Sequence, residues 1–271
     1  MTSSVTRHEL ESKLRGESLV RKGLLRKYTG RETLRITPEL NVIKIGGHGI
    51  IDYGAPVVLP LAEEVGTLSR DHRMLVVTGG GVRVRHIMDI GLDLGMPTGV
   101  LADLAGRISE QNAIMMTVLL APYRAIRISP DDLLDLPMLL GMGLLPVTQG
   151  TPPYGLFEHP DRGSIPGHRT DTGAYLAAEV MGAKDCWLLK NVDGLYTENP
   201  VDNPDAELIG DITAEEVLEM DLKDMVLERM VVELLCEATH VRRVRIINGH
   251  VPGTLTRALA GEMLGTVIRA D

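Results

Sequence analysis

Two glycine clusters at the ends of apolar runs, Lys44-Ile45-Gly46-Gly47 and Thr78-Gly79-Gly80-Gly81, have the residue types and spacing that could do chemistry. Glycine lets a backbone approach phosphate oxygens closely, and a helix starting after the turn adds N–H donors and a favourable dipole. A phosphorylated ligand held between the two turns would meet the Lys44 ammonium where a phosphoryl group passes. A glycine turn after a strand is also an ordinary turn, so the pair carries more weight than either member. Neither cluster has Walker A spacing and no GxGxxG occurs, which removes support from P-loop and dinucleotide-binding readings.

Around this pair stand further candidates, each with two readings. Arg83, Arg85 and His86 follow the second cluster and either clamp an acidic acceptor or oxyanion, or form a solvated helix face with a structural histidine. His159 and His168 flank a stretch rich in proline and glycine; imidazole can ligate a metal or hydrogen-bond an oxo group, yet the two lack metal-ligand spacing. Asp171, in Arg169-Thr170-Asp171-Thr172, is either a site carboxylate or the N-cap of a helix beginning at Thr172. Thr213 with Glu216 spells a capping box, and the acidic residues from there through Glu228 form a solvated face. The 13 methionines serve as core filler.

The elements that must position these residues alternate between strand and helix from Leu40 onward, as in a mainly parallel sheet covered on both faces. Strands are expected at 41–45, 73–78, 125–128, 144–147, 186–189 and 244–247, and helices at 57–69, 82–94, 111–120 and 172–181. Residues 149–169 form a long surface loop of the kind that often carries function. Residues 1–37 read either as a loose tail or as an arm packing on a neighbouring subunit, and 38–271 as the main domain, with an acceptor half to 168 and a nucleotide half from 169.

With 271 residues and 44% hydrophobic content, the chain can bury a substantial core. A net charge of −9 argues against sequence-blind attraction to nucleic acid. Cys186 and Cys236 are far apart and lack CxxC spacing, so both are expected as buried free thiols. No secretory leader or membrane-length apolar run is legible, and a cytoplasmic location is expected.

Lys44–Gly47, Gly79–Gly81, Arg169–Ala174, Lys190–Tyr196 continuing to Pro200, and Asn248–Leu255 with Gly265-Thr266 follow the order found in the uridylate kinase branch of the amino acid kinase family. The chain resembles that family over residues 38–269. Within it, Val82–His86, Pro152-Pro153-Tyr154, Ile165-Pro166 and Val251–Glu262 are similar to the molybdenum storage proteins, which keep the kinase fold and ATP site and accumulate molybdate or tungstate in a hexameric cage.

The resemblance implies an α/β three-layer sandwich with a central, mainly parallel sheet, and a hexamer, a trimer of dimers, formed with itself or with a homologous second subunit type. It implies ATP and Mg²⁺ as cofactors and molybdate or tungstate as cargo. By position, Lys44 and Gly46, Gly47, Gly79, Gly80 and Gly81 would hold phosphates, Lys190 would reach them from the opposite side, and Asp171 would organise the lysines. Asp193, Gly194, Tyr196, Asn199 and Pro200 would shape the nucleoside pocket. One departure concerns the cargo: Gly155-Leu156-Phe157-Glu158-His159 stands where one storage subunit type has a histidine-rich stretch. That departure counts against anchoring of a cluster by histidine; on the similar phrases, storage of oxyanions driven by ATP is the leading expectation, and phosphoryl transfer to a small phosphate or carboxylate acceptor the alternative.

Overall fold

A computed structural model describes residues 33–152 and 165–271. Residues 1–32, and with them nearly all of the expected arm, lie outside the described residues, as do His159, Pro153-Tyr154 and the rest of Gly155–His159. The unit Arg35–Asp271 contains every element discussed below.

In chain order the strands are β1 (Asn41–Ile45), β2 (Met74–Thr78), β3 (Ala125–Arg127), β4 (Leu145–Gln149), β5 (Asp185–Lys190), β6 (Leu195–Tyr196), β7 (Leu208–Ile209), β8 (Asp211–Thr213), β9 (Arg243–Asn248) and β10 (Thr266–Arg269). The helices are α1 (Ala55–Leu68), α2 (Val82–Asp93), α3 (Thr98–Leu119), α4 (Leu136–Gly141), α5 (Thr170–Met181), α6 (Ala214–Met220), α7 (Arg229–Cys236) and α8 (Thr254–Leu259). Eight strands form one sheet in the order β3-β4-β2-β1-β5-β9-β10-β8, while β6 and β7 pair separately. Only β9 and β10 run antiparallel within the large sheet.

The central strands are apolar on both faces because both faces are covered. On one face Val42, Val77, Leu188 and Ile246 pack against Tyr175 and Ala178 of α5, Val217 of α6 and Val231 of α7. On the other, Ile43, Val76, Trp187 and Ile247 pack against Val65 of α1, Met116 of α3 and Leu255 of α8. The result is the expected three-layer sandwich. From β1 the chain continues to β2 and β4 on one side and later returns to β5 and β9 on the other. Such a reversal opens a crevice at the carboxyl ends of the strands, where ligands bind in doubly wound sheets.

Several boundaries differ from those expected. The helix expected at 111–120 is the second half of α3, which starts at Thr98. Its first half carries Gly99, Ala102, Ala105 and Gly106, small buried residues that permit close packing but give a weak helical stripe. α5 starts at Thr170 with Arg169 as its N-cap and no side-chain cap of its own, so Asp171 is inside the first turn and the N-cap reading of Asp171 is set aside. The capping box at Thr213 and Glu216 forms as expected. Cys186 is buried, whereas Cys236 is only partly so. Arg35–Thr37 belong to the main unit, since the N–H groups of Ile36 and Thr37 both donate to the Met181 carbonyl.

Candidate functional site

Lys44 and Lys190 stand near the carboxyl ends of neighbouring strands, with Lys44 of β1 in register with Leu188 of β5. Alternation along β1 sends Ile43 and Ile45 into the core beneath α1 and leaves Lys44 on the opposite face, next to α5. There the first turn of α5 presents Asp171, which is only 3% exposed. Its two carboxylate oxygens are divided between the lysines, with Lys44 Nζ at 2.5 Å from Oδ1 and Lys190 Nζ at 2.6 Å from Oδ2. Burial by itself opposes ionisation of Asp171, but the adjacent Lys190 and Lys44 ammonium groups outweigh it and hold the carboxyl well below the usual range. Burial also lowers the pKa of Lys190; Asp171 counteracts this, and Lys44 lowers it further. Two ammonium groups share one carboxylate, so the cluster carries a net positive charge in a poorly solvated place, and an incoming anion would complete its neutralisation.

A second carboxylate, from Glu228, holds this arrangement in place. It is buried at the end of the loop before α7, and its Oε2 accepts from the Arg169 and Thr172 N–H groups and the Thr172 hydroxyl at 3.2, 3.1 and 2.6 Å. Its Oε1 accepts from the Asp171 N–H at 3.0 Å. Glu228 therefore supplies the cap that the start of α5 lacks locally and fixes the backbone from which Asp171 projects. The solvated-face reading holds for the exposed Glu216, Glu219, Asp221 and Asp224 and is corrected at Glu228. Its partners lie 56 to 59 residues away, so no local pattern could have identified it.

The glycine turns meet each other back to back. A Cβ on Gly47 would stand 2.0 Å from the Gly81 nitrogen, and Gly81 itself has φ of 76°, so both positions exclude a side chain. A Cβ on Gly79 would lie 2.9 Å from the Gly47 nitrogen and 3.5 Å from Lys44 Nζ. Among the described residues no protein acceptor takes the N–H of Gly47, Gly80 or Gly81. The second turn is braced from α3, where Asn112 Nδ2 donates to the Gly79 carbonyl at 2.5 Å. The first is tied to the start of α2, where Asp52 accepts from the Val82 N–H at 2.7 Å.

Lys44, Lys190, the glycines at 46, 47, 79, 80 and 81, Arg85 and His168 line a single cleft of about 270 Å³. Its far wall carries apolar side chains from α2 and α3, among them Val84 and Met88. Arg83 is directed elsewhere: its guanidinium donates to the Gln111 side chain at 2.9 Å and to Asn112, so it reaches the second turn through α3. His86 is exposed on α2 and does not line the cleft. Nor do Asp193, Gly194, Tyr196, Asn199 and Pro200. Asp193 accepts from Asn248 Nδ2 at 2.8 Å, Tyr196 pairs with Leu208, and Asn199 closes a local turn onto the Val201 N–H. A Cβ on Gly194 would come within 2.3 Å of Thr266 Oγ1, so β10 alone accounts for that glycine. Among the described residues no three of His, Cys, Asp or Glu gather as a metal-ligand set.

The amino acid kinase family profile matches residues 39–248. The chain is 42% identical over 264 residues to the molybdenum storage protein subunit beta of Azotobacter vinelandii, covering 97% of this chain and 98% of that protein. It is 34% identical to a uridylate kinase of Thermofilum pendens over 73% of this chain and 81% of that one. In structure it matches the uridylate kinase of Archaeoglobus fulgidus with a TM-score of 0.68 at 22% identity, over 84% of this chain and 99% of the other, a likeness of fold.

Proposed function

The chain belongs to the amino acid kinase family, and we propose that within it this protein is a subunit of a molybdenum or tungsten storage assembly that uses Mg-ATP to load molybdate or tungstate. The storage reading rests above all on the likeness to the Azotobacter storage subunit, which spans 97% of the chain. The use of ATP rests on the Lys44–Asp171–Lys190 cluster beside the two glycine turns.

Phosphoryl transfer or hydrolysis demands positioning and charge neutralisation more than covalent chemistry. Lys44 and Lys190 would approach the transferring phosphoryl group from two strands, with Asp171 keeping their ammonium groups apart and aimed. The N–H groups of Gly47, Gly80 and Gly81 would take phosphate oxygens where a side chain would fill the cradle. Mg²⁺, when bound, would neutralise phosphate charge and be held chiefly through phosphate oxygens and water, which fits a cleft without a preformed three-ligand set among the described residues. Arg85, on the acceptor side of the cleft, would attract the oxyanion. Asp193, Tyr196, Asn199 and Pro200 would border the nucleoside beyond the cleft. The proposed assembly has six subunits, with the residues before Arg35 as an assembly arm.

A kinase acting on a small acceptor is the second reading, favoured by the intact lysine–aspartate cluster and the 34% identity to a uridylate kinase. Retention of molybdate or tungstate on the desalted protein only after incubation with Mg-ATP tests the first reading. Stoichiometric phosphorylation of an added acceptor without retention would transfer the assignment to the second.

A further inference from the structure

At the end of the sheet opposite the cleft lies an open hollow of about 440 Å³ whose lining is basic, in a chain of net charge −9. Six cations meet there: Arg35, Lys184, Arg242, Arg243, Arg245 and Arg269. They come together through register. Lys184 and Arg242 immediately precede the parallel strands β5 and β9, and Arg243 of β9 pairs directly with Arg269 of the antiparallel β10. Like charges placed opposite one another on a sheet are unfavourable without a counter-charge.

The counter-charge is incomplete. Asp185 accepts from Arg243 at 2.5 and 3.1 Å and from Arg245 at 3.2 Å, and Asp211 accepts from Arg269 at 2.9 Å, with Asp271 3.6 Å away from the same guanidinium. Among the described residues Arg35 donates to backbone carbonyls, those of Gly182 and Ala183 at 2.9 and 2.6 Å. Lys184 and Arg242 are exposed and make no ion pair among the described residues. Three carboxylates thus serve three of the six cations, and among the described residues Arg35, Lys184 and Arg242 have no carboxylate partner.

We propose that this hollow is a binding site for a linked, multiply charged oxyanion, a polyphosphate chain, separate from the cleft and independent of the function proposed for it. The spread of the cations selects the class of ligand. Arg243, Arg245 and Arg269 lie on β9 and β10, and Lys184 and Arg242 stand just before β5 and β9, so these five span three adjacent strands, about 10 Å at ~4.8 Å per strand spacing. That width suits a chain of tetrahedral oxyanions better than one. Lys184 and Lys190 bracket β5, so the hollow and the lysine cluster are separated by about 20 Å of extended chain and one short polyphosphate cannot occupy both. The two rings at the hollow are already engaged: Trp187 is only 3% exposed, with the Arg245 guanidinium 5.0 Å above its ring, and the half-buried His240 holds its Nδ1 3.0 Å from the Glu179 carbonyl oxygen. Recognition therefore rests on phosphate alone, and inorganic tripolyphosphate and the triphosphate of a nucleotide would bind alike.

The test is calorimetric titration of the full-length protein with tripolyphosphate and, separately, with ATP, both without Mg²⁺. Wild type is compared with Lys184→Ala/Arg242→Ala, with the charge-preserving Lys184→Arg/Arg242→Lys, and with the cleft variant Lys44→Ala/Lys190→Ala. The wild type should show a class of sites, equal for the two ligands, that survives in the cleft variant and in the charge-preserving variant. That class should weaken about tenfold for each cation removed in the alanine variant, the scale of one charge-assisted hydrogen bond. Identical isotherms for wild type and the alanine variant would overturn the proposal, as would loss of all tripolyphosphate binding in the cleft variant. An alanine variant that changes the mass of the assembly while tripolyphosphate binding is unchanged would overturn it in favour of a protein contact. ATP binding at this class without tripolyphosphate binding would refute recognition through phosphate.

Discussion

Replacing Glu228 removes one buried side chain that accepts four hydrogen bonds at the start of α5. In Glu228→Ala the Asp171 and Thr172 N–H groups are left in a buried setting, each costing about 1–3 kcal/mol if unsatisfied, while the Thr172 hydroxyl can rotate to another acceptor. Water entering the vacated space recovers part of this, so the expected loss is about 3–5 kcal/mol, above the ~0.5–2 kcal/mol typical of an exposed cap. Glu228→Gln keeps one carbonyl oxygen for the Arg169 and Thr172 side and turns an amide N–H₂ toward the Asp171 N–H, so about half that loss is expected. Urea unfolding with an unchanged slope measures both. Function should follow position: slackening the first turn of α5 moves Asp171 between its lysines, and a displacement of about 1 Å at a reacting centre can cost ~100-fold in rate. Glutamine also removes a negative charge that supports the protonated form of Lys190, so the alkaline limb of ATP turnover should move to lower pH in Glu228→Gln. An alanine variant within about 1 kcal/mol of wild type with unaltered ATP turnover would refute the reasoning, because it would mean the α5 N–H groups have other acceptors.

Asp171 gives a pH prediction with a definite sign: its folded pKa is depressed below the ordinary value of 3.8, so its contribution is complete above 3.8 and is lost as pH falls toward the folded value. Acid unfolding of wild type should show this limb, and Asp171→Asn should lack it while losing about 3–5 kcal/mol at neutral pH, as expected when one member of a buried ion cluster is removed. Gly47→Ala places a methyl group 2.0 Å from the Gly81 nitrogen, and separating the turns should cost about 1–3 kcal/mol in urea unfolding together with most of the affinity for ATP. Lys44→Ala and Lys190→Ala should each weaken Mg-ATP use by at least an order of magnitude while the circular dichroism spectrum stays native; unchanged turnover in both would remove the proposed phosphate site.

Much of the fold was legible because β1, β2, β5 and β9 lie inside a sheet covered on both sides, so their apolar runs end near where the strands end. The glycine turns and Lys44 were legible for the same reason, each lying at or near the end of such a run. The short outer strands β8 and β10 were not, having only three and four residues, one of them charged in each case, Asp211 and Arg269. The first half of α3 was hidden because its buried residues Gly99, Ala102, Ala105 and Gly106 are small and give only a weak apolar stripe. Glu228 and the basic hollow depend on contacts between distant segments, with Arg35, Lys184 and Arg242 brought together only by the sheet. Asp171 was legible as a residue but not as the shared partner of both lysines, because that role follows from α5 beginning one turn beneath two particular strand ends.

In the proposed function the lysine–aspartate cleft works in the service of oxyanion storage. Elemental analysis of the purified protein after incubation with Mg-ATP and molybdate or tungstate, then desalting, tests it most directly, with a control lacking ATP and the Lys44→Ala variant in parallel. Many metal atoms should be retained per chain in the complete mixture, with background retention both without ATP and in the variant. Retention no higher with ATP than without it would rule out ATP-driven storage and favour a kinase whose acceptor is to be found.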